Sequence, residues 1–143
     1  MEDKEFELWE KTVEEIIAEN NILLKEFELW LETKKLSPKT LKKHVNNIDF
    51  FVNNYLVHYE PIKAEDGAVE IGGFLGDYFI RKALWSTKNS IIEYISSFRK
   101  FYTFMVEVNK TSEDDLIDMK EIIKEEREDW FDSLQEFDNQ GFY

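Results

Sequence analysis

The sequence predicts an all-α fold, a bundle of long amphipathic helices, and three observations lead there. Apolar residues recur every three or four positions over most of the chain, the spacing that gives a helix one apolar stripe. Only five Gly and two Pro occur in 143 residues, so turns are few and elements long. No stretch alternates polar and apolar residues in the way a half-buried strand does.

Phe6, Trp9, Val13 and Ile16 or Ile17 share one face, which predicts an amphipathic helix over residues 3–19 with its acids outward and a break at Asn20-Asn21. A second helix is expected over residues 22–34, with Leu24, Phe27 and Leu31 on one face and Ile22, Leu23 and Trp30 widening it. Ser37-Pro38 is a start signal, because a serine hydroxyl accepts from a free first-turn amide and proline tolerates the first helical position. The helix it opens runs to about residue 55 and is expected to bury Leu41, Val45, Ile48, Phe51 or Val52, and Tyr55. Residues 56–67, with Pro61 and Gly67, form the longest expected loop.

A helix over residues 69–84 follows despite Gly72, Gly73 and Gly76, each of which costs a helix about 1 kcal/mol relative to alanine. Their spacing has a packing reason, since glycines on one face let a neighbouring helix approach closely. Ser86 or Thr87 caps the next helix, to about residue 107, with Ile91 or Ile92, Ile95, Phe98, Tyr102 and Met105 or Val106 inward. Ser112 followed by Asp115 reads as a variant capping box opening a long last helix, whose stripe is Leu116, Met119, Ile123, Trp130, Leu134 and Phe137.

Charge is segregated along the chain. Residues 21–110 hold 13 Lys/Arg against 11 Asp/Glu, a formal +2, whereas residues 1–20 contribute −6 and residues 111–143 contribute −9 to the total of −13. The expected organisation is therefore an acidic amphipathic helix over 1–20, a slightly basic helical domain over 21–110 and an acidic helix and tail over 111–143. An overall acidic chain disfavours a polyanionic ligand, because such affinity comes largely from neutralised phosphates. The average nevertheless conceals a central segment able to bind one.

Absence of cysteine excludes disulfides, thiolate chemistry and sulfur-bound metals. Met1-Glu2-Asp3-Lys4-Glu5 lacks the basic-then-apolar pattern of a signal peptide, and no apolar run approaches a membrane span, so a cytoplasmic protein is expected, with no membrane association. No cofactor is expected. Gly72-Gly73-x-x-Gly76 lacks the lysine and preceding strand of a P-loop. The acid runs read as solvated faces rather than metal sites.

Two passages resemble a known family. Phe27-Glu28-Leu29-Trp30-Leu31-Glu32-Thr33-Lys34-Lys35-Leu36-Ser37-Pro38-Lys39-Thr40-Leu41 resembles the F-x-x-W/Y-L-x-x-K-G/K-L-S-P-x-T signature of the N-terminal core-binding domain of tyrosine recombinases and phage integrases. Ser90-Ile91 with Ser97-Phe98-Arg99-Lys100-Phe101-Tyr102-Thr103-Phe104 resembles the last helix of that domain. The resemblance covers about residues 21–108. It implies a four-helix bundle like the sterile alpha motif (SAM-like), here with additional acidic helices at both ends, and it implies contact with duplex DNA.

Carried over position by position, the resemblance nominates Lys34, Lys35, Ser37, Lys39, Thr40, Lys42, Lys43, His44 and Asn46 around the start at Ser37-Pro38, and Ser86, Thr87, Lys88, Ser90, Arg99 and Lys100 on the later helix. The residues themselves support the first group: five lysines and no acid lie between Thr33 and Ile48, and lysines at a helix start suit phosphate contact. The plainer alternative is a solvated lysine face, with His44 at the surface and Arg99 packed along the bundle beside a tail carboxylate.

The recombinases' catalytic half has no counterpart. The chain's only arginines are Arg81, Arg99 and Arg127, its only histidines are His44 and His58, and Tyr143 has no cage of cations to activate it. The expected function is thus a non-catalytic DNA-binding module, not an enzyme. The alternative is a protein-interaction or scaffold domain that kept the fold and lost DNA. Trp130, Phe131, Leu134 and Phe137 of the last helix either enlarge the core or form a seam for self-association or another protein.

Overall fold

The computed structural model describes residues 2–83 and 85–140. Among these the chain is all-α, with no strand. It divides into two compact units, Met1–Gly67 and Ala68–Tyr143.

The first unit is built on α1, Glu2–Glu32, a single helix of 31 residues. The break expected at Asn20-Asn21, and with it a separate helix over 1–20, does not occur. Asparagine disfavours a helix interior when its amide competes locally for the backbone. Here Asn20 is only 2% exposed, and its Nδ2 donates to the Val52 carbonyl at 3.1 Å and to Asn53 Oδ1 at 2.9 Å. The side chain is spent on distant partners, so the helix continues through it.

α1 packs on α2, Pro38–Phe50, and on a wide π-turn, Phe51–Tyr55, that extends α2 to the expected end. Ser37 caps α2 as its sequence predicts: Thr40 N–H donates to Ser37 Oγ at 3.2 Å. In the π-turn Leu56 N–H donates to the Phe51 carbonyl at 3.0 Å, one residue further back than in an α-helix. Phe27, Leu31, Ile48 and Phe51 are fully buried. Trp9 Nε1 donates to the Tyr59 carbonyl at 2.7 Å, tying the expected loop to the N-terminal half of α1.

In the second unit, the glycine-bearing stretch is helical but irregular. A 3-10 turn at Ala68–Glu70 leads into α3, Ile71–Gly73, a π-turn at Phe74–Tyr78 and α4, Phe79–Lys82. The expected packing reason holds. A Cβ on Gly76 would lie 3.0 Å from Trp130 Cδ1, and one on Gly72 would lie 2.9 Å from Glu126 Oε1. Both contacts come from the last helix, α6, Glu113–Gln140.

α5, Lys88–Glu107, begins with a full capping box: Ser90 N–H donates to Thr87 Oγ1 at 3.1 Å and Thr87 N–H donates to Ser90 Oγ at 2.7 Å. α6 starts where Ser112 Oγ accepts from Asp115 N–H at 3.1 Å. It packs on α5 and on the glycine-bearing stretch. Leu116, Met119, Ile123, Trp130 and Leu134 are buried beneath it, while Phe137 stays 41% exposed. The aromatic centre joins Phe74 and Phe79 to Tyr94 of α5, with ring centroids 5.2 and 4.7 Å away. The last helix is part of this unit's core rather than a detachable acidic arm.

Candidate nucleic-acid interface

The first lysine group is set by how α1 ends. Thr33 and Lys34 N–H groups donate back to the Trp30 and Leu31 carbonyls at 3.1 and 2.9 Å. Lys35 then adopts φ 58°, the left-handed conformation that commonly terminates helices and that glycine usually supplies. Leu36 and the Ser37 cap redirect the chain into α2 within a few residues. The result crowds the end of one helix and the start of the next with lysines.

Lys34, Lys35, Lys39, Lys42 and Lys43 are all exposed, as is Asn46. Helical spacing puts Lys39, Lys42, Lys43 and Asn46 on one face of α2. Among the described residues, no carboxylate lies within 4 Å of Lys34, Lys35, Lys39 or Lys42. Lys34 Nζ sits 4.4 Å from the centre of the Trp30 ring, a cation–π contact on an exposed lysine. The i,i+4 spacing of Trp30 and Lys34 was the signal for that pair, and sequence reasoning passed over it.

Three members of the group do other work. His44 is 4% exposed and therefore belongs to the buried face of α2, not to its surface. The reason is a rotation: His44 and Ile48 turn inward, whereas Leu41 and Val45, expected in the core, are only half-buried. Ser37 Oγ accepts the Thr40 amide and donates to Thr40 Oγ1 at 2.9 Å, so both hydroxyls are engaged in the cap.

Leu41 and Val45 instead line a cleft of about 550 Å³ with Leu36, Pro38, Lys42 and Asn46, and its acidic border is Glu28 and Glu32 of α1. The lysine face thus has a carboxylate-bearing edge on the side of Lys42.

The second group lies in the other compact unit, and most of its hydroxyls are structural. Thr87 and Ser90 satisfy each other in the capping box. Ser86 is half-buried, with Oγ 3.4 Å from the Ile80 carbonyl. Lys88 is exposed, its Nζ 4.9 Å from the Phe131 ring centre. Lys88 and Arg99 fall on one line of α5 three turns apart, roughly 16 Å by helical rise, and Lys100 is half-buried a third of a turn away. Arg99 is exposed and has no carboxylate within 4 Å among the described residues, so the expected tail partner does not form.

The other arginines are engaged elsewhere: Arg81 pairs with Asp77 at 2.8 Å, and Arg127 lies 5.6 Å from the Phe131 ring centre. Tyr143 lies outside the described residues. Trp130 and Leu134 are buried and Phe131 is half-buried, so of the two alternatives for the last helix these residues mainly enlarge the unit's own core, while Phe137 stays exposed. No helix among the described residues is long and apolar enough to cross a membrane.

No family model, curated protein or solved structure matches this chain.

Proposed function

We propose that the protein is a non-catalytic DNA-binding module whose contact surface is the junction of α1 and α2, with Lys34, Lys35, Lys39, Lys42 and Lys43 as phosphate ligands and Asn46 beside them. One observation carries this reading: five exposed lysines gather around a single helix start with no acid between Thr33 and Ile48. Lysines held as point charges near a helix N-terminus suit phosphate oxygens, which give register and affinity without sequence readout. His44, Ser37 and Thr40 act behind this surface by fixing α2.

The first compact unit still carries nine bases against fifteen acids, so attraction must be local and short-ranged. Local attraction over roughly 10 Å is what the Debye length at moderate salt permits. Binding is accordingly expected to be weak, non-specific and strongly salt-dependent. The test is fluorescence anisotropy of a labelled duplex across a salt series. The full chain should bind at low salt with a log–log slope of about −3 to −5, the range for three to five neutralised phosphates. Changing Lys39, Lys42 and Lys43 together to Gln should lower affinity for all sequences alike and flatten that slope. Absence of binding by the full chain at low salt overturns the reading.

A further inference from the structure

We infer that the seam between α5 and α6 is a binding strip for single-stranded nucleic acid. It lies in the second compact unit and shares no residue with the α1–α2 junction, so it stands apart from the duplex contact proposed there. α6 carries twelve acids and three bases, and the bases are not scattered: Lys120, Lys124 and Arg127 follow at i, i+4 and i+7. At 3.6 residues per turn they fall with Phe131 in an arc of about 60°, which holds no acid between Glu113 and Asp138. On α5, Lys88 and Arg99 occupy one line with Ile92 between them, and that line holds no acid either. Five residues, 108–112, join the two helices, so they form an antiparallel hairpin. Lys88 Nζ lies 4.9 Å from the Phe131 ring centre, with Arg127 5.6 Å from the same ring, and this fixes the register at the far end. Counting inward from that contact, Ile92 comes level with Arg127, and Arg99 with Lys120.

Like charge thus adjoins like charge. A hairpin built for stability alone would set the plentiful carboxylates of α6 beside Lys88 and Arg99. Instead, among the described residues, none of the five cations has a carboxylate within 4 Å, and all but Arg127 are exposed. Their mutual repulsion is relieved by an anionic chain laid along the seam. Two features select that chain. The strip is one seam wide, bordered on α6 by exposed Glu121, Glu128 and Asp132, so a duplex lying on it would set its second strand against carboxylates. Aromatic rings accompany the cations: Phe131 beside Lys88 and Arg127, and Trp85, 57% exposed, three residues before Lys88. Bases of a single strand stack on such rings while its phosphates meet the cations, whereas an acidic peptide would leave the rings unused.

Fluorescence anisotropy of a labelled oligothymidylate at low salt tests this, in the full chain and in a background with Lys39, Lys42 and Lys43 changed to Gln, which removes the α1–α2 contact. Both should bind, with a log–log salt slope of about −3. Changing Arg99, Lys120 and Lys124 together to Gln, all exposed and outside the ring contacts, should weaken binding by about tenfold or more and bring the slope to about −1. A charge-matched control, Lys4, Lys11 and Lys25 to Gln, should change affinity by less than about twofold. Trp85→Ala, at an exposed position, should weaken binding by about fivefold or more. The Arg99, Lys120 and Lys124 variant should also unfold at the same or a higher temperature, because these cations repel; a merely structural role would lower it. No binding in the background variant, affinity unmoved by the triple change or by Trp85→Ala, a lowered unfolding temperature, or tighter binding in that background of an equal-length duplex or of oligoglutamate each overturns the inference.

Discussion

Asn20 Nδ2 donates to the carbonyl of Val52, a residue 32 positions away, at 3.1 Å. The π-turn gives this contact its importance. Leu56 N–H donates to the Phe51 carbonyl, where a regular α-helix would direct it to Val52. Asn20 supplies a donor there, and its second hydrogen bond, to Asn53, holds the same turn. Asn20→Ala is expected to destabilise the fold by about 1–3 kcal/mol, because it leaves a carbonyl in a buried environment without that donor. Urea unfolding would measure it, and Asn20→Asp, which exchanges the donor for an acceptor, should be at least as damaging.

Gly72 and Gly76 should separate in sign although both meet α6. A methyl at Gly76 would press on Trp130, which is 2% exposed and has nowhere to go, so Gly76→Ala should cost about 1–3 kcal/mol. At Gly72 the obstacle is the carboxylate end of Glu126, a flexible side chain that swings aside, and the gain in helix propensity of up to about 1 kcal/mol should make Gly72→Ala neutral to stabilising. Thermal unfolding of the two variants side by side gives the comparison.

Lys35 adopts φ 58°, a conformation that costs a side-chain-bearing residue about 1 kcal/mol relative to glycine. Lys35→Gly should therefore stabilise the chain by about that amount while lowering affinity for duplex DNA. A purely structural role for this lysine would leave DNA affinity unmoved. Paired measurement of unfolding and anisotropy distinguishes the two outcomes.

The Asp77 carboxyl is held below its ordinary value of 3.8, first by the hydrogen bond from Arg81 and further by that residue's charge, with partial desolvation opposing. A lowered folded-state value contributes stability above the unfolded value, and that contribution is lost as pH falls through the folded one. The window thus lies below about pH 4. Both side chains are largely exposed and spaced i,i+4, so the pair is worth no more than about 0.5 kcal/mol. Arg81→Ala should move the Asp77 titration midpoint, followed by NMR at the carboxyl carbon, up toward 3.8 with little change in stability at neutral pH.

Local chemistry was legible in the sequence, and distant partners were not. Ser37, Thr87 and Ser112 announced their helices because a cap depends on residues three positions apart. The glycine spacing announced a close helix contact for the same kind of reason. Asn20 was misread as a breaker because its partners lie 32 and 33 residues away. His44 was misread as surface because neighbouring lysines said nothing about the rotation of α2, which buries His44 and opens Leu41 and Val45 to the cleft. The lysine cluster itself was visible from composition, but which members stay available depended on that rotation and on the cap.

In the proposed function the α1–α2 junction meets DNA phosphates. Titrating isotope-labelled full chain with a short duplex at low salt, and following backbone amide shifts by NMR, tests it most directly. Shifts concentrated on residues 33–46 and abolished by raised salt are the expected result. Unmoved amides there, or shifts confined to residues far from that junction, would contradict it.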